Sequence, residues 1–442
     1  VTVTAALFIA NRLIPGSVVG AAADPTGLYA ADTLDVVWGR EDTTSQPDAS
    51  TASFRLVRPA PVDWLRVGAG VTVLAFASGQ QVTVFIGSVT SLELSWDDET
   101  GQPVVDVIAD DVLGDFGHRR VASTPWPAET LGARVAHVMA AARQDIAYTV
   151  GAGIAGRALA KQDVYTLFAF DVLGAVAASV DAVLWSTVTI TGQAAALLVE
   201  DTGARPALRR LAKPAALIVI VVDVDQLAGI ATTLDGCVFD RDDAGFTQNT
   251  DDYVTGVSVT YYTPDTDTSA PDLAITVDVT DPTSESPTGH WGVRRITADT
   301  LLTNAADATD LGTRILGRLR PAGQWRAPLL GFDQAETPAI TDAQLLQLLD
   351  CRTRIGRPLV VPMPGWAPLG GDPLVGYLEG ATATYSAGWW SLTLTVSSAQ
   401  SYGAADVMWN DMPDDATWTW NAWDPGIQWD ELSGVGPPVG VI

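Results

Sequence analysis

The chain has 442 residues, 47% of them hydrophobic, and a mean hydropathy of +0.19. That is enough apolar material for roughly two to four domains with their own cores, which excludes a disordered chain. Fifty-two acidic residues against 25 basic ones leave a formal net charge of −27, a balance that repels phosphates and argues against a nucleic-acid clamp or a partner on an anionic membrane.

The chain opens on an apolar run, Ala5 to Ala10, followed by Ala21-Ala22-Ala23, which looks like a signal-peptidase site. No positive charge precedes the run and Arg12 interrupts it, so a secretory signal is not expected. Period-two alternation then dominates: Leu34, Val36 and Trp38 alternate with Thr33, Asp35 and Val37, and Leu92, Leu94 and Trp96 with Ser91, Glu93 and Ser95. Similar runs lie at Ser53 to Arg58, Val71 to Phe76, Gln81 to Ile86 and Val104 to Ala109. Gly, Pro, Asp and Ser clusters separate them, and such a succession predicts a barrel or sandwich over residues 1–118.

The pattern changes at Pro125-Trp126-Pro127. Leu131, Val135, Val138, Met139 and Ala142 fall at helical spacing, with Pro127 suited to a first turn and Glu129 near the positive end of the dipole, which predicts a helix of about four turns. Val164 to Val180 is apolar nearly all round apart from Asp171 and predicts a buried helix. Ala182 to Thr191 and Gln193 to Glu200 read as a strand pair, completing a helix-containing insertion over 119–234. The longest apolar run, Ala215 to Val222, is far too short to span a bilayer.

Asp235 to Glu285 holds twelve acidic residues against one arginine, Arg241, around strands at Val254 to Tyr262 and Leu273 to Val279. A charge run of this kind reads as a solvated face. Leu311, Ile315 and Leu319 define an amphipathic helix in which Asp310 and Arg314 stand four apart. Ala381 to Tyr385, a Ser386-Ala387-Gly388 turn and Trp389 to Val396 form a hairpin pattern that ends a second barrel-like block, 235–402.

Chemistry-bearing motifs are sparse. Gly151-Ala152-Gly153-Ile154-Ala155-Gly156 is a literal GxGxxG with Asp171 about twenty residues on, but no alternating strand and helix units surround it, so a Gly/Ala connection is the expected reading. Asp240-Arg241-Asp242-Asp243-Ala244-Gly245 resembles a calcium loop with Ala244 where a ligand should stand and Asp251 in place of the bidentate glutamate. His118, His137 and His290 sit in separate elements, with no zinc spacing, and His137 reads as a hydrogen-bonded structural residue. Cys237 and Cys351 form no CxxC pair and are expected reduced. No nucleophile elbow occurs, and with so many carboxylates a glycosidase pair has no evidential weight. The expectation is no catalytic residue, no metal, no cofactor and no membrane anchor.

The tail, 403–442, carries Trp409, Trp418, Trp420, Trp423 and Trp429, together with six acidic side chains from Trp409 onward and no Lys or Arg. Indole rings outside a core seek a surface, so the segment reads as a fastening arm. Packing on its own domain and docking on a neighbouring subunit both remain open.

Several segments in order resemble the minor tail proteins of long-tailed phages of actinobacteria, in particular baseplate or tail-tip hub proteins similar in fold to the hub of contractile-tailed phages. The resemblance lies in Val37-Trp38-Gly39-Arg40 with Gln46 to Phe54, in Val105 to Leu113 leading to Trp126-Pro127-Ala128-Glu129-Thr130 and Arg134, in Asp252 to Tyr261, in His290-Trp291-Gly292-Val293-Arg294-Arg295 before the Asp307 to Leu319 helix, and in the Gly376 to Val396 hairpin. It implies a mainly β fold with an α+β insertion, two tail-tube-like β-barrel domains and an extended C-terminal arm. It implies a homotrimer at the virion tail tip, assembled in the host cytoplasm. The implied partners are the distal tail ring, the tape measure and other tail-tip proteins, with genomic DNA passing through the ring unbound. No peptidase or muramidase motif is appended. A distal tail ring component is the alternative within this class, and a secreted carbohydrate-binding or glycoside-active protein the alternative outside it.

Overall fold

In a computed structural model, the structure describes residues 3–14, 29–40, 45–57, 63–98, 101–164, 166–188, 195–201, 208–210, 219–221, 232–233, 254–263, 272–280, 294–319, 329–335, 340–351, 355–361 and 374–398. The fold is mainly β with a few helices, as the alternation predicts. In chain order the first block contains β1 (Thr4–Ile9), β2 (Arg12–Leu13), β3 (Tyr29–Gly39), β4 (Asp48–Val57), β5 (Gly70–Ala77), β6 (Gln80–Trp96), β7 (Pro103–Asp110) and α1 (Val112–Phe116). There follow β8 (Glu129–Thr130), α2 (Leu131–Ala142), β9 (Ala147–Val150), β10 (Ala158–Leu159), α3 (Ala169–Ala178), β11 (Ala182–Val188), β12 (Ala195–Asp201), β13 (Leu208–Arg210), β14 (Val219–Val221) and β15 (Thr232–Thr233). The last third holds β16 (Gly256–Thr263), β17 (Leu273–Thr280), β18 (Arg295–Asp299), α4 (Ala305–Leu319), β19 (Leu330–Asp333), α5 (Asp342–Leu349), β20 (Arg357–Val361), β21 (Leu374–Ser386) and β22 (Trp389–Ser398).

One large sheet takes strands from both ends of the chain. Its order is β15-β20-β21-β3-β4-β7-β6-β5-β1-β2, with β22 on β21 and β19 on β22. The apolar run at the N-terminus is β1, paired along its whole length with β5. Hairpin turns fix the registers. Ala10 and Asn11, Ser78 and Gly79, and Ala387 and Gly388 each supply two consecutive positive φ angles, the backbone that two-residue turns need to match strand twist.

The seam between the two ends is β3 against β21, from Gly39 opposite Gly380 to Thr33 opposite Ser386. Gly39 is there for space as well as for its φ of 93°, because a Cβ would stand 2.2 Å from the Glu379 carbonyl oxygen.

Apolar packing divides the chain differently from its sequence blocks. One core joins Val3 to Ala109 with Leu330 to Val396, including Trp38, Phe54, Phe85 and Trp390. A second joins residues 112–199 with 254–316, where α2, α3 and α4 bury Leu131, Val135, Leu173, Val176 and Leu311 alongside Val257 and Val259 of β16. The helix and sheet of 254–319 thus share a core with the helical middle of the chain.

Local expectations shift at their boundaries. The five periodic residues of α2 are all buried, but its N-cap is Thr130, whose hydroxyl accepts from Ala133 N–H at 3.3 Å. Pro127 lies outside the helix because Trp126 bridges Gln162 and Glu129–Thr130 pairs with β10, which holds that segment extended. The apolar stretch 164–180 forms α3 over ten residues, with Val164 and Val180 buried on either side of it.

Candidate functional site

Polar chemistry concentrates at the joints between elements. In the β21–β22 ladder, at the end of the β3–β21 seam, a register shift between Leu378 and Gly380 leaves Glu379 out of the pairing, and its side chain is buried. Its carboxylate accepts from Arg40 Nε at 2.8 Å and from the Ser397 hydroxyl at 2.6 Å, with Arg40 Nη1 donating to the Ser45 carbonyl at 3.1 Å. Both charged side chains are almost wholly buried. Three strands, β3, β21 and β22, are tied by this one ion pair and its hydroxyl.

A second joint fastens the first block to the middle of the chain. Gln46 treats β11 as a strand partner: its Nε2 donates to the Ala182 carbonyl at 2.9 Å and its Oε1 accepts from Leu184 N–H at 3.2 Å. Beside it Asp111 caps α1 through Leu113 N–H at 2.8 Å while its other oxygen accepts from Ser50 N–H at 2.9 Å and from the Ser186 hydroxyl. Burial is the largest influence on Asp111 and pushes its pKa up, with the hydrogen bonds from Ser186 and Ser50 pulling the other way.

A raised folded-state pKa means that the stability contributed by protonating Asp111 is fully present below the ordinary carboxylate value and is lost as pH rises through the folded value. Asp111→Asn should therefore cost more at about pH 4 than at about pH 7. At the higher pH it should still destabilise by about 1–3 kcal/mol, because an amide N–H cannot accept from Ser50. Denaturation midpoints of both proteins at the two pH values check this.

The third joint is Arg134, fully buried on α2. It donates to Glu129, to Gln162 Oε1 at 2.6 Å, and to the Pro127 and Ala160 carbonyls at 3.0 Å each. His137 Nδ1 lies 2.8 Å from the second Glu129 oxygen, and the Trp126 ring lies 5.7 Å from the His137 ring, tilted 53° to it, and 5.7 Å from the Arg134 guanidinium. His137 thus faces Glu129 from an exposed position on α2.

The GxGxxG segment does structural work. Gly151 to Gly156 runs through turns and leads to β10, not into a helix. Leu131 N–H donates to the Arg157 carbonyl at 2.8 Å and Gly132 N–H to the Ala155 carbonyl at 2.9 Å, so this loop satisfies the open N–H groups of α2. Asp171, the acid a dinucleotide ribose would need, accepts from Phe168 N–H at the start of α3. No group of His, Cys, Asp and Glu that could hold a metal ion occurs among the described residues.

Of the acidic stretch, Asp278 is described and engages Arg295 at 2.7 Å and Ser258 at 2.6 Å, while Asp272 engages Lys161 at 3.2 Å. The calcium-like loop 240–245, His290, Cys237 and the five arm tryptophans, Trp409, Trp418, Trp420, Trp423 and Trp429, lie outside the described residues. Sequence patterning did not single out Glu379, Gln46 or Asp111 as joint residues. Asp111 before an apolar pair at 112–113 carried a readable helix-start signal.

The β-rich body with its helices shares its fold with two solved tail proteins. Solved structures of the 43 kDa tail protein of prophage MuSo2 from Shewanella oneidensis and of a tail protein from Neisseria meningitidis MC58 both have a TM-score of 0.54 against this chain. The first is 13% identical, covering 90% of this chain and 99% of that one; the second is 14% identical, covering 92% and 100%. At such identities the likeness shows shared fold. No protein-family model matches the chain. No curated protein matches it in sequence.

Proposed function

We propose that the chain is a structural protein of a long-tailed actinobacteriophage tail tip, a hub ring that joins a sixfold tail tube to a threefold tip and forms part of the DNA channel. The observation that carries this reading is coverage: the shared fold spans nearly the whole of this chain and of both tail proteins, so the likeness is not that of a grafted module. Joints built from saturated buried hydrogen bonds suit a part that must hold shape. The reading assigns no turnover to the chain, with the distal tail ring, the tape measure and other tail-tip proteins as its partners. It further requires that residues 1–118 and 235–402 superimpose as related barrels, giving three chains pseudo-sixfold symmetry.

Imaging of intact particles tests the reading. The expected result is this chain at the tail tip in three copies. Six copies would move it to a distal tail ring, and absence from virions with a monomer in solution would favour the carbohydrate-binding alternative. The net charge of −27 adds a second expectation, that the channel surface is negative and the purified chain shows no salt-sensitive DNA binding at physiological ionic strength. Salt-dependent retention of duplex DNA in a filter or mobility assay would contradict it.

A further inference from the structure

Strand β6 outruns its neighbour on one side. Ser88 pairs Gly70 of β5 on one edge and Asp110 of β7 on the other, and from there to Trp96 the ladder continues on the β7 edge alone. Val89 still exchanges hydrogen bonds with Gly68 and Ala69. Beyond it no described strand lies along that edge, so the stretch Thr90 to Trp96 offers outward N–H and C=O groups from alternate residues. An edge of this kind is a template for a further strand. Its two faces differ: Leu92, Leu94 and Trp96 continue the apolar face of the core, yet Leu94 and Trp96 are each 69% exposed, while Ser91, Glu93 and Ser95 make the other face polar. A strand that fits is apolar and bulky at alternate positions, and uncharged between them so as not to meet Glu93 with a like charge.

The C-terminal arm holds that pattern. Ala416 to Trp423 carries no charged side chain, and in Thr417-Trp418-Thr419-Trp420 indoles alternate with threonines, bounded by Asp414-Asp415 before and Asp424-Pro425-Gly426 after. The arm also begins within reach. One row crosses the large sheet from Thr393 through Thr382, Val37, Thr51 and Asp110 to Ser88. Ser398 stands to one side of this row and Leu94 to the other, five strand spacings apart, a separation of roughly 45 Å along a flat sheet. The chain from Ser398 to Trp418 spans up to roughly 65 Å when extended, so the arm reaches the edge from its own body.

We propose that the open edge of β6 is the seat of the chain's own arm, Thr417 to Trp420 adding as a strand with Trp418 and Trp420 covering Leu94 and Trp96. Backbone pairing supplies the hold, and the matched alternation fixes the face on which the indoles lie. Seated so, the arm leaves the body beside the β6–β7 tip and carries Trp423 and Trp429 toward the neighbour they fasten. The seat does not depend on the tail-tip reading.

Photo-crosslinking of the full-length protein tests it. Leu94→p-benzoylphenylalanine places the reactive group on an exposed position, and a mixture of unlabelled and isotope-labelled chains is irradiated and the joined peptides read by mass spectrometry. The expected adduct links position 94 to the segment 416–423, with both peptides carrying the same label. Thr419→Pro with Trp420→Pro removes one N–H from each side of the added strand, so the pairing one is lost in either orientation, and the adduct yield should fall about tenfold. Circular dichroism of that variant should match wild type. No adduct to the arm, adducts that join differently labelled chains, or a yield that survives the double proline would each overturn the seat.

Discussion

Glu379→Ala should lower the unfolding free energy by about 3–5 kcal/mol, because it leaves the Arg40 guanidinium buried without its carboxylate. Arg40 Nε points at Glu379 across the seam, its Nη1 is already committed to the Ser45 carbonyl, and the side chain has almost no route to solvent. Glu379→Gln should cost nearly as much, since an amide keeps a partner for Ser397 but supplies no negative charge to Arg40. The double replacement Arg40→Met with Glu379→Leu should be milder than either single change, because it removes the stranded charge along with the pair. Chemical denaturation followed by tryptophan fluorescence reads this at the seam, where Trp38 on β3 and Trp390 on β22 belong to the same core. A loss below about 1 kcal/mol would mean that backbone pairing alone holds β3 to β21.

The strands were readable where one face is buried and the other wet. β5 alternates from Gly70 to Ala77 without interruption, so period two appears directly in its residues. The alternation along β6 splits into two runs, Gln81 to Ile86 and Ser91 to Trp96, yet it is one strand of seventeen residues. Register shifts beside Val73 and after Val89 change its parity, and a bulge reverses which alternate residues face the core. β1 carried no alternation because Ala5, Ala6 and Leu7 are all buried, so its pattern was that of an apolar run.

Partner choice was the part hidden from the sequence. Alternation says which face of β3 is apolar, yet nothing local to residues 29–39 says that the neighbour on one side is more than 330 residues away. The same holds for the two cores: α4 showed an apolar stripe through Leu311, Ile315 and Leu319, but not that the stripe would meet β16 and the helices of the middle segment. Several of the segments that carried the tail-protein resemblance fall at the joints. Trp38-Gly39-Arg40 lies at the seam, Gln46 on β11, and Glu129 and Arg134 at the head of α2. Their residue types are constrained by close approach and buried hydrogen bonding, which explains why pattern and order were legible while each match stayed short.

Removing residues 404–442 should leave the body folded and sharply reduce its incorporation into tails. The described body, up to Ser398, already assembles two apolar cores that bury side chains as large as Phe85, Phe116 and Trp390, so it has an interior of its own to fold around. The arm itself is rich in anchors. In Thr417-Trp418-Thr419-Trp420 an extended backbone would place both rings on one side, and Trp409, Trp423 and Trp429 add three more. Buried aromatic anchors contribute about 2 kcal/mol or more each at an interface, so the loss of several of them should reduce binding to an adjacent subunit or tail protein by orders of magnitude. Circular dichroism of the truncated chain beside a particle-assembly assay separates the two effects. Native-like spectra with few or no incorporated copies is the expected outcome; an unfolded truncated body would place the tryptophans in its own core and end the docking role.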